Sequence, residues 1–395
     1  MKVNIFFTTV FTLAGIVCYG QADNTLFKKH TLTNSFISEG VTVGDVNKDG
    51  KMDILAGTFW FEAPNWSQHE IASAKAYDGA KEYSESFLNH AMDVNQDGWI
   101  DQVIVGYPGT PALWYENPKK KGGYWKKHGI LDVGVGNESP GFLDVNGDGL
   151  TDILCADVKS KQIVWLSPPF KKGDTTWVRY PISALNTPGT DRYSHGIGLG
   201  DLNADGRADV MIKSGWWEAP VDRKQANWTF HAADFGEDCS EMYTYDVNGD
   251  GLTDVISASA HKFGIWWHEQ VKDAEGNVTW THHEISKAFS QTHGLALQDM
   301  NGDGAPDLVT GKRFWAHNDT NNDPGGHVAV LYWFEFKPGK EPSWIAHELD
   351  NNSGVGLHVV IQDMNKDKKP DIVIGNKKGV FYFENGMGKK GRGKR

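Results

Sequence analysis

Cysteine is scarce in this sequence, with three in 395 residues. Cys18 lies in the N-terminal apolar run, while Cys155 and Cys239 fall far apart, so no disulfide framework is expected. Long apolar runs are lacking as well. The one from Ile5 to Val17 follows Lys2 and is too short for a comfortable membrane span. It has the layout of a secretory signal, with residues 1–20 removed after Gly20 and a secreted or periplasmic location implied. A lipoprotein reading through Cys18 fits less well, because Val17 stands where a small residue is wanted. Basic surface is short too. The formal charge is −12 and no basic groove with interleaved aromatics appears, which argues against nucleic acid as a partner. No Ser-His-Asp set, phosphate-binding glycine loop or dinucleotide fingerprint stands in a convincing context.

What the chain has instead is a repeat. The stretch Asp144-Val-Asn-Gly-Asp-Gly-Leu-Thr-Asp152 has six relatives, and the seven copies start 45 to 64 residues apart. Position 1 is Asp45, Asp93, Asp144, Asp201, Asp246, Asp299 and Asp363. Position 3 is Asn47, Asn95, Asn146, Asn203, Asn248, Asn301 and Asn365. Position 5 is Asp49, Asp97, Asp148, Asp205, Asp250, Asp303 and Asp367. Position 9 is Asp53, Asp101, Asp152, Asp209, Asp254, Asp307 and Asp371.

Three carboxylates held within nine residues repel one another unless a cation sits among them. A flexible all-oxygen loop suits calcium better than magnesium, so up to seven structural calcium ions are expected. Seven divalent ions would bring the charge balance to roughly +2, which makes the acidity a property of metal loops. Glycine at position 6 permits the sharp reversal, except in the last copy, where Lys368 predicts the weakest site or none. The loops begin like an EF-hand but lack its bidentate Glu: position 12 holds Ala56, Ile104, Cys155, Ile212, Ser257, Thr310 and Ile374.

Each unit reads as four short strands, one before the acidic loop, one after it, an aromatic third and a fourth of W-x-x-H-x-I flavour. Four strands in each of seven units predict an all-β, seven-bladed β-propeller over residues 26–385. The last unit stops near Glu384 without a fourth strand, and Leu26–Leu32 looks like an orphan fourth strand. The N-terminal strand is therefore expected to close the last blade, leaving no open edge. The basic, Gly-rich tail 386–395 is expected to be disordered.

The acidic loops resemble those of the FG-GAP or VCBS repeat family, which implies a calcium-bearing propeller and leaves function open. The domain is also similar to the propeller of the aldos-2-ulose dehydratase family. The carrying residues are Thr292-His293-Gly294, Gly311-Lys312-Arg313-Phe314-Trp315-Ala316-His317 and Leu331-Tyr332-Trp333-Phe334-Glu335. That resemblance implies metal-assisted dehydration of keto-sugars; the family's cupin domains have no counterpart in this sequence.

If the acidic loops share one face, the segments before each first strand ring the channel mouth on the other. Seven equivalent positions there read Glu39, Glu85, Glu138, His195, Glu241, His293 and His358. The connections from second to third strands open on the same mouth and carry Tyr107, Asp157, Lys159, Lys213, His261, Lys312, Arg313 and His317. Such convergent polar groups suit a pocket. A carbon–oxygen lyase or dehydratase acting on a keto-sugar or uronic glycan needs a base, an acid and a stabiliser of developing charge. His195, His293, His358, Glu138, Lys312, Arg313 and His317 are the candidates, with a zinc-like ion held by the first three histidines and a Glu. The alternative is a non-catalytic module that binds glycans or a protein partner. The fourth-strand histidines His30, His69, His128, His231, His283 and His347 are expected to be structural.

Overall fold

The computed structural model describes residues 26–317 and 324–388. The expected signal segment, 1–20, lies outside the described residues, as does 389–395 of the tail. Seven four-stranded antiparallel sheets follow one another along the chain. Blade 1 shows the pattern: Thr42–Gly44 lines the channel, Asp53–Ala56 and Phe59–Glu62 form the buried middle, and Ser67–Glu70 forms the outer edge. The only helical turn among the described residues is Lys119–Lys121.

The ring closes as the sequence predicts. Phe27–Thr33 pairs antiparallel with Gly379–Asn385, giving the last blade its fourth strand. Leu357 N–H also donates to Glu39 O (3.0 Å), joining the segments that lead into the last and first blades. The first tail residues continue this packing instead of leaving it. Gly386 N–H donates to Leu26 O (2.8 Å), and Met387 is buried in the last blade's core.

Two devices recur in the blades. In the first, the position-9 Asp of each acidic loop is fully buried and clamps the backbone. Asp209 accepts N–H groups from Leu202 and Ala219, and Asp254, Asp307 and Asp371 do the same with their own loops and third strands. In the second, the outer histidine stacks on the third-strand aromatic and bonds to the Glu after it. Trp216 and His231 are 4.2 Å apart, and His231 Nε2 lies 2.9 Å from Glu218 Oε2. The same trio appears in blades 1, 2, 5 and 6, and as Tyr382, His30 and Glu384 in blade 7. The outer-edge histidines are thus packing elements, as expected.

Blade 3 departs from both. Tyr180 replaces the histidine on Trp165 (4.3 Å), Ser167 replaces the Glu, and Pro168 follows where other blades supply an N–H. Asp152 Oδ1 is left buried without a partner. Burial, with the charges of Asp148 and Asp144, pushes its carboxyl up to about 8.

The seven acidic loops share one backbone. In each, the position-1 carboxylate accepts the N–H of position 6, at 2.9 Å from Gly304 and also from Lys368. Lys368 reaches the left-handed conformation (φ 68°) that glycine occupies elsewhere. The loop therefore tolerates lysine without changing shape.

Candidate metal centre and its surroundings

Antiparallel pairing sends the acidic loops to one face, so the segments before the first strands and the second-to-third connections gather on the other. His195 precedes the first strand of blade 4, His293 that of blade 6, and His261 lies in the connection between Asp254–Ala258 and Phe263–Lys272 of blade 5. One ring nitrogen from each lies within 4.8 Å of the others.

The hydrogen bonds fix two of the tautomers. His293 Nδ1 faces Gln291 O at 3.1 Å, where only a donor fits, so its Nε2 carries the lone pair. That Nε2 is buried with no partner. His261 Nδ1 donates to Asp238 Oδ2 (2.8 Å), and Lys213 Nζ donates to Asp238 Oδ1 (2.7 Å). A carboxylate behind an imidazole is the usual support of a metal-binding histidine. His195 Nε2 is likewise buried without a hydrogen bond, 3.6 Å from Glu138 Oε2. Three imidazoles gathered at this distance, two of them with the lone pair fixed on Nε2, make a donor set of the kind zinc takes.

The electrostatics favour the neutral forms of His261 and His293 and keep the neighbouring acids ionised. Burial drives His293 well below its ordinary value, helped by the charge of Arg313. Burial and His195 lower His261, against the pull of Asp238. Burial would raise Asp238, but Lys213 and His261 outweigh it and hold it at about 2. For Glu138 too, burial is outweighed, by His195 and Arg313, and its carboxyl stays well below the usual range.

The remaining candidates divide. Arg313 is fully enclosed; it donates to Glu138 Oε2 (2.9 Å) and Glu39 Oε2 (3.2 Å), tying blade 6 to blades 3 and 1 across the axis. It serves as a cross-brace and fixes Glu138 beside His195. His317 stands at the edge of the cluster, its ring 4.9 Å from that of His261 and 6.0 Å from that of His293. Burial, with Arg313 and His261, lowers it to about 4. Lys312 turns away: its Nζ donates to Ser290 Oγ, Gln291 Oε1 and Pro324 O.

His358 does not join the metal-facing trio. Its Nδ1 is held by Glu241 Oε1 at 2.6 Å, and His261 takes the expected place. Glu85 leaves the ring too, since it is solvent-exposed with Lys75 Nζ 3.5 Å away. The insertion 72–87 lifts it off the axis. Asp238 was not among the expected residues; its only signal is proximity to Cys239 and Glu241 in the segment before blade 5's first strand.

The profile of the FG-GAP-like repeat matches residues 93–155, 144–212 and 246–310. The chain is a propeller of FG-GAP-like repeats. No curated protein sequence matches this FG-GAP-like propeller. Among solved structures it is similar to BBS1N in complex with ARL6DN, at 9% identity and a TM-score of 0.53 over 93% of this chain and 99% of that one. It is also similar to the rhamnogalacturonan lyase YesW, at 10% identity and a TM-score of 0.44 over 93% and 73%. An Agrocybe aegerita lectin that recognises non-reducing terminal N-acetylglucosamine gives 16%, 0.47, 91% and 88%. Identities this low carry the fold alone. Among the described residues no helix is long and apolar enough to cross a membrane.

Proposed function

We propose that the mouth opposite the acidic loops is the site of a metal-dependent carbon–oxygen lyase acting on a sugar with a carbonyl or carboxylate next to the reacting C–H. The observation that carries this reading is the trio of buried His195 and His293 with half-buried His261, in which the Nε2 atoms of His195 and His293 have no protein partner. A divalent ion held there would act as a Lewis acid toward the substrate's carbonyl or carboxylate oxygen.

The chain's own residues supply the rest. Within the described residues His317 has no hydrogen bond fixing its ring, and it stands beside the trio, placed to accept the proton α to the activating group. The C–H electron pair becomes the new C=C bond, the β C–O bond breaks, and the leaving oxygen takes the proton from the same imidazole. Glu138, kept ionised by Arg313, is available to a sugar hydroxyl or to the ion. The fully buried Arg313 holds Glu138 in place beside His195.

The test is metal analysis of the purified protein coupled to a screen of keto-sugars and uronic glycans for an unsaturated, ultraviolet-absorbing product. His293→Ala is expected to abolish product while the fold survives. Equal turnover by wild type and variant would overturn the reading.

A second reading, a non-catalytic glycan-binding module, is favoured by one feature of the acidic-loop side. A groove between blades 1 and 2 is lined by Trp60, Trp99, Tyr124 and Trp125 with Glu70 and Asn117. Glycan binding that survives loss of the histidine trio and disappears in Trp99→Ala would support it.

The same proposal includes calcium in the acidic loops and export of the chain. Positions 1 and 5, and position 3 except at the buried Asn95 and Asn301, lie at or near the surface, the position-9 carboxylates lie buried, and secretion would supply millimolar calcium.

A further inference from the structure

Just ahead of His195 in the chain stands a group that the elimination chemistry does not use. Tyr107, from the connection between Asp101–Val105 and Pro111–Glu116 of blade 2, and Tyr193, from the segment leading into blade 4, have hydroxyls 2.6 Å apart and rings edge-on at 5.6 Å. The guanidinium of Arg192 lies 5.1 Å from one ring centre and 5.2 Å from the other. Its Nε donates to Pro108 O, which anchors the side chain, and neither Nη has a hydrogen-bond partner among the described residues. No carboxylate among the described residues pairs with Arg192; the adjacent Asp191 is taken by Lys161 at 3.2 Å.

The local backbone is shaped for this arrangement. Gly109 gives Arg192 room, since a Cβ there would come within 2.9 Å of Nε. Tyr193 sits at φ 67°, an uncommon conformation for a bulky residue, pinned by its N–H to Gly136 O (2.9 Å). Two residues later the chain delivers His195. Tyr107 in turn packs on Tyr83 and Phe87, over which the Arg313 guanidinium lies. An aromatic wall thus runs from Arg192 to Arg313, whose partner Glu138 lies 3.6 Å from His195.

We infer that Arg192, Tyr107 and Tyr193 form a subsite for the carboxylate of a hexuronate, so that the site takes an acidic sugar in preference to a neutral keto-sugar. The inference rests on the lyase reading for its purpose, but the binding claim is separable from it. A planar guanidinium with two free Nη groups matches a carboxylate in bidentate fashion, and a tyrosine face suits the C–H face of a pyranose. Stacked over two rings with no acidic partner among the described residues, the guanidinium leaves its charge to the ligand.

The experiment is ligand-observed NMR titration of D-glucuronate, D-galacturonate and D-glucose into the full chain, as wild type, Arg192→Gln, Arg192→Lys and His261→Ala. Wild type is expected to bind at least one uronate tenfold or more tightly than glucose. Arg192→Gln should remove that preference, and Arg192→Lys should restore only part of it, because lysine keeps the charge without the fork. His261→Ala should lose the metal and any turnover yet keep the preference, which separates this inference from the lyase reading. Equal binding of uronate and glucose, an unchanged preference in Arg192→Gln, or acetate binding as well as the uronates would overturn it. Arg192 is exposed, so an unchanged melting temperature in each Arg192 variant confirms that folding is not what was measured.

Discussion

His261 Nδ1 and Asp238 Oδ2 stand 2.8 Å apart, and Lys213 holds the other carboxylate oxygen at 2.7 Å. The pair turns the lone pair of His261 toward His195 and His293. Asp238→Asn keeps the shape but removes the charge, and zinc affinity is expected to fall about 10–100-fold. Competition with a chromophoric chelator measures it. Unchanged affinity would deny Asp238 an orienting role.

His358 and His90 shift in opposite directions. Burial opposes the charged form of His358, but the charge and hydrogen bond of Glu241 outweigh it and raise its pKa above 6.5. Burial, then the charge of His358, lowers His90 to about 4. The signs follow from linkage. The His358 contribution to stability is complete below 6.5 and is lost as pH rises through its folded value. The His90 contribution is complete above 6.5 and is lost as pH falls toward 4. Imidazole proton shifts followed by NMR should show His358 titrating above 6.5 and His90 well below, with His90 moving up in His358→Gln. A His358 midpoint at or below 6.5 would contradict the pairing.

Asp209 and Asp152 occupy the same place in neighbouring blades with different surroundings. Both oxygens of Asp209 accept backbone N–H groups, whereas Asp152 Oδ1 faces no donor because Pro168 lacks one. Asn at 209 points an NH2 at an N–H and is expected to cost about 2 kcal/mol. Asn at 152 places its NH2 where no donor opposes it and should cost well under half as much. Urea denaturation in chelator compares the two, and equal losses would refute the clamp.

Calcium that binds only the folded ring stabilises it by about 2.7 kcal/mol for each site at a hundredfold excess over Kd. Chelation is therefore expected to lower the melting temperature by many degrees, and an unchanged melt after verified metal removal would sink the calcium reading. In the seventh loop, Lys368→Gly relieves a left-handed lysine and should raise stability by about 1 kcal/mol even without metal.

Much of the fold was legible because its signals are local. The acidic loop, the aromatic strand and the W-x-x-H pattern each fit within a few residues, and the orphan strand at Leu26–Leu32 needed only a count of strands per blade. The mouth was legible only as a set. Antiparallel alternation put His195, His261, His293, Glu138 and His358 on one face, but which of them meet depends on rotations between blades that no local spacing encodes. So His358 was expected to face an ion and instead pairs with Glu241, while His261 takes its place. Glu85 was misplaced because an insertion breaks the register just before it, and Asp238 carried no periodic mark at all.

The strand Phe27–Thr33 is the earliest piece of the ring to leave the ribosome, and Gly379–Asn385, which it zips to, is the last. Until synthesis ends, the nascent disc must tolerate a bare β-edge and a partner strand with nowhere to dock. Assembly of the circle is then a single terminal event, and any truncation upstream of Gly379 strands both halves of the seam at once.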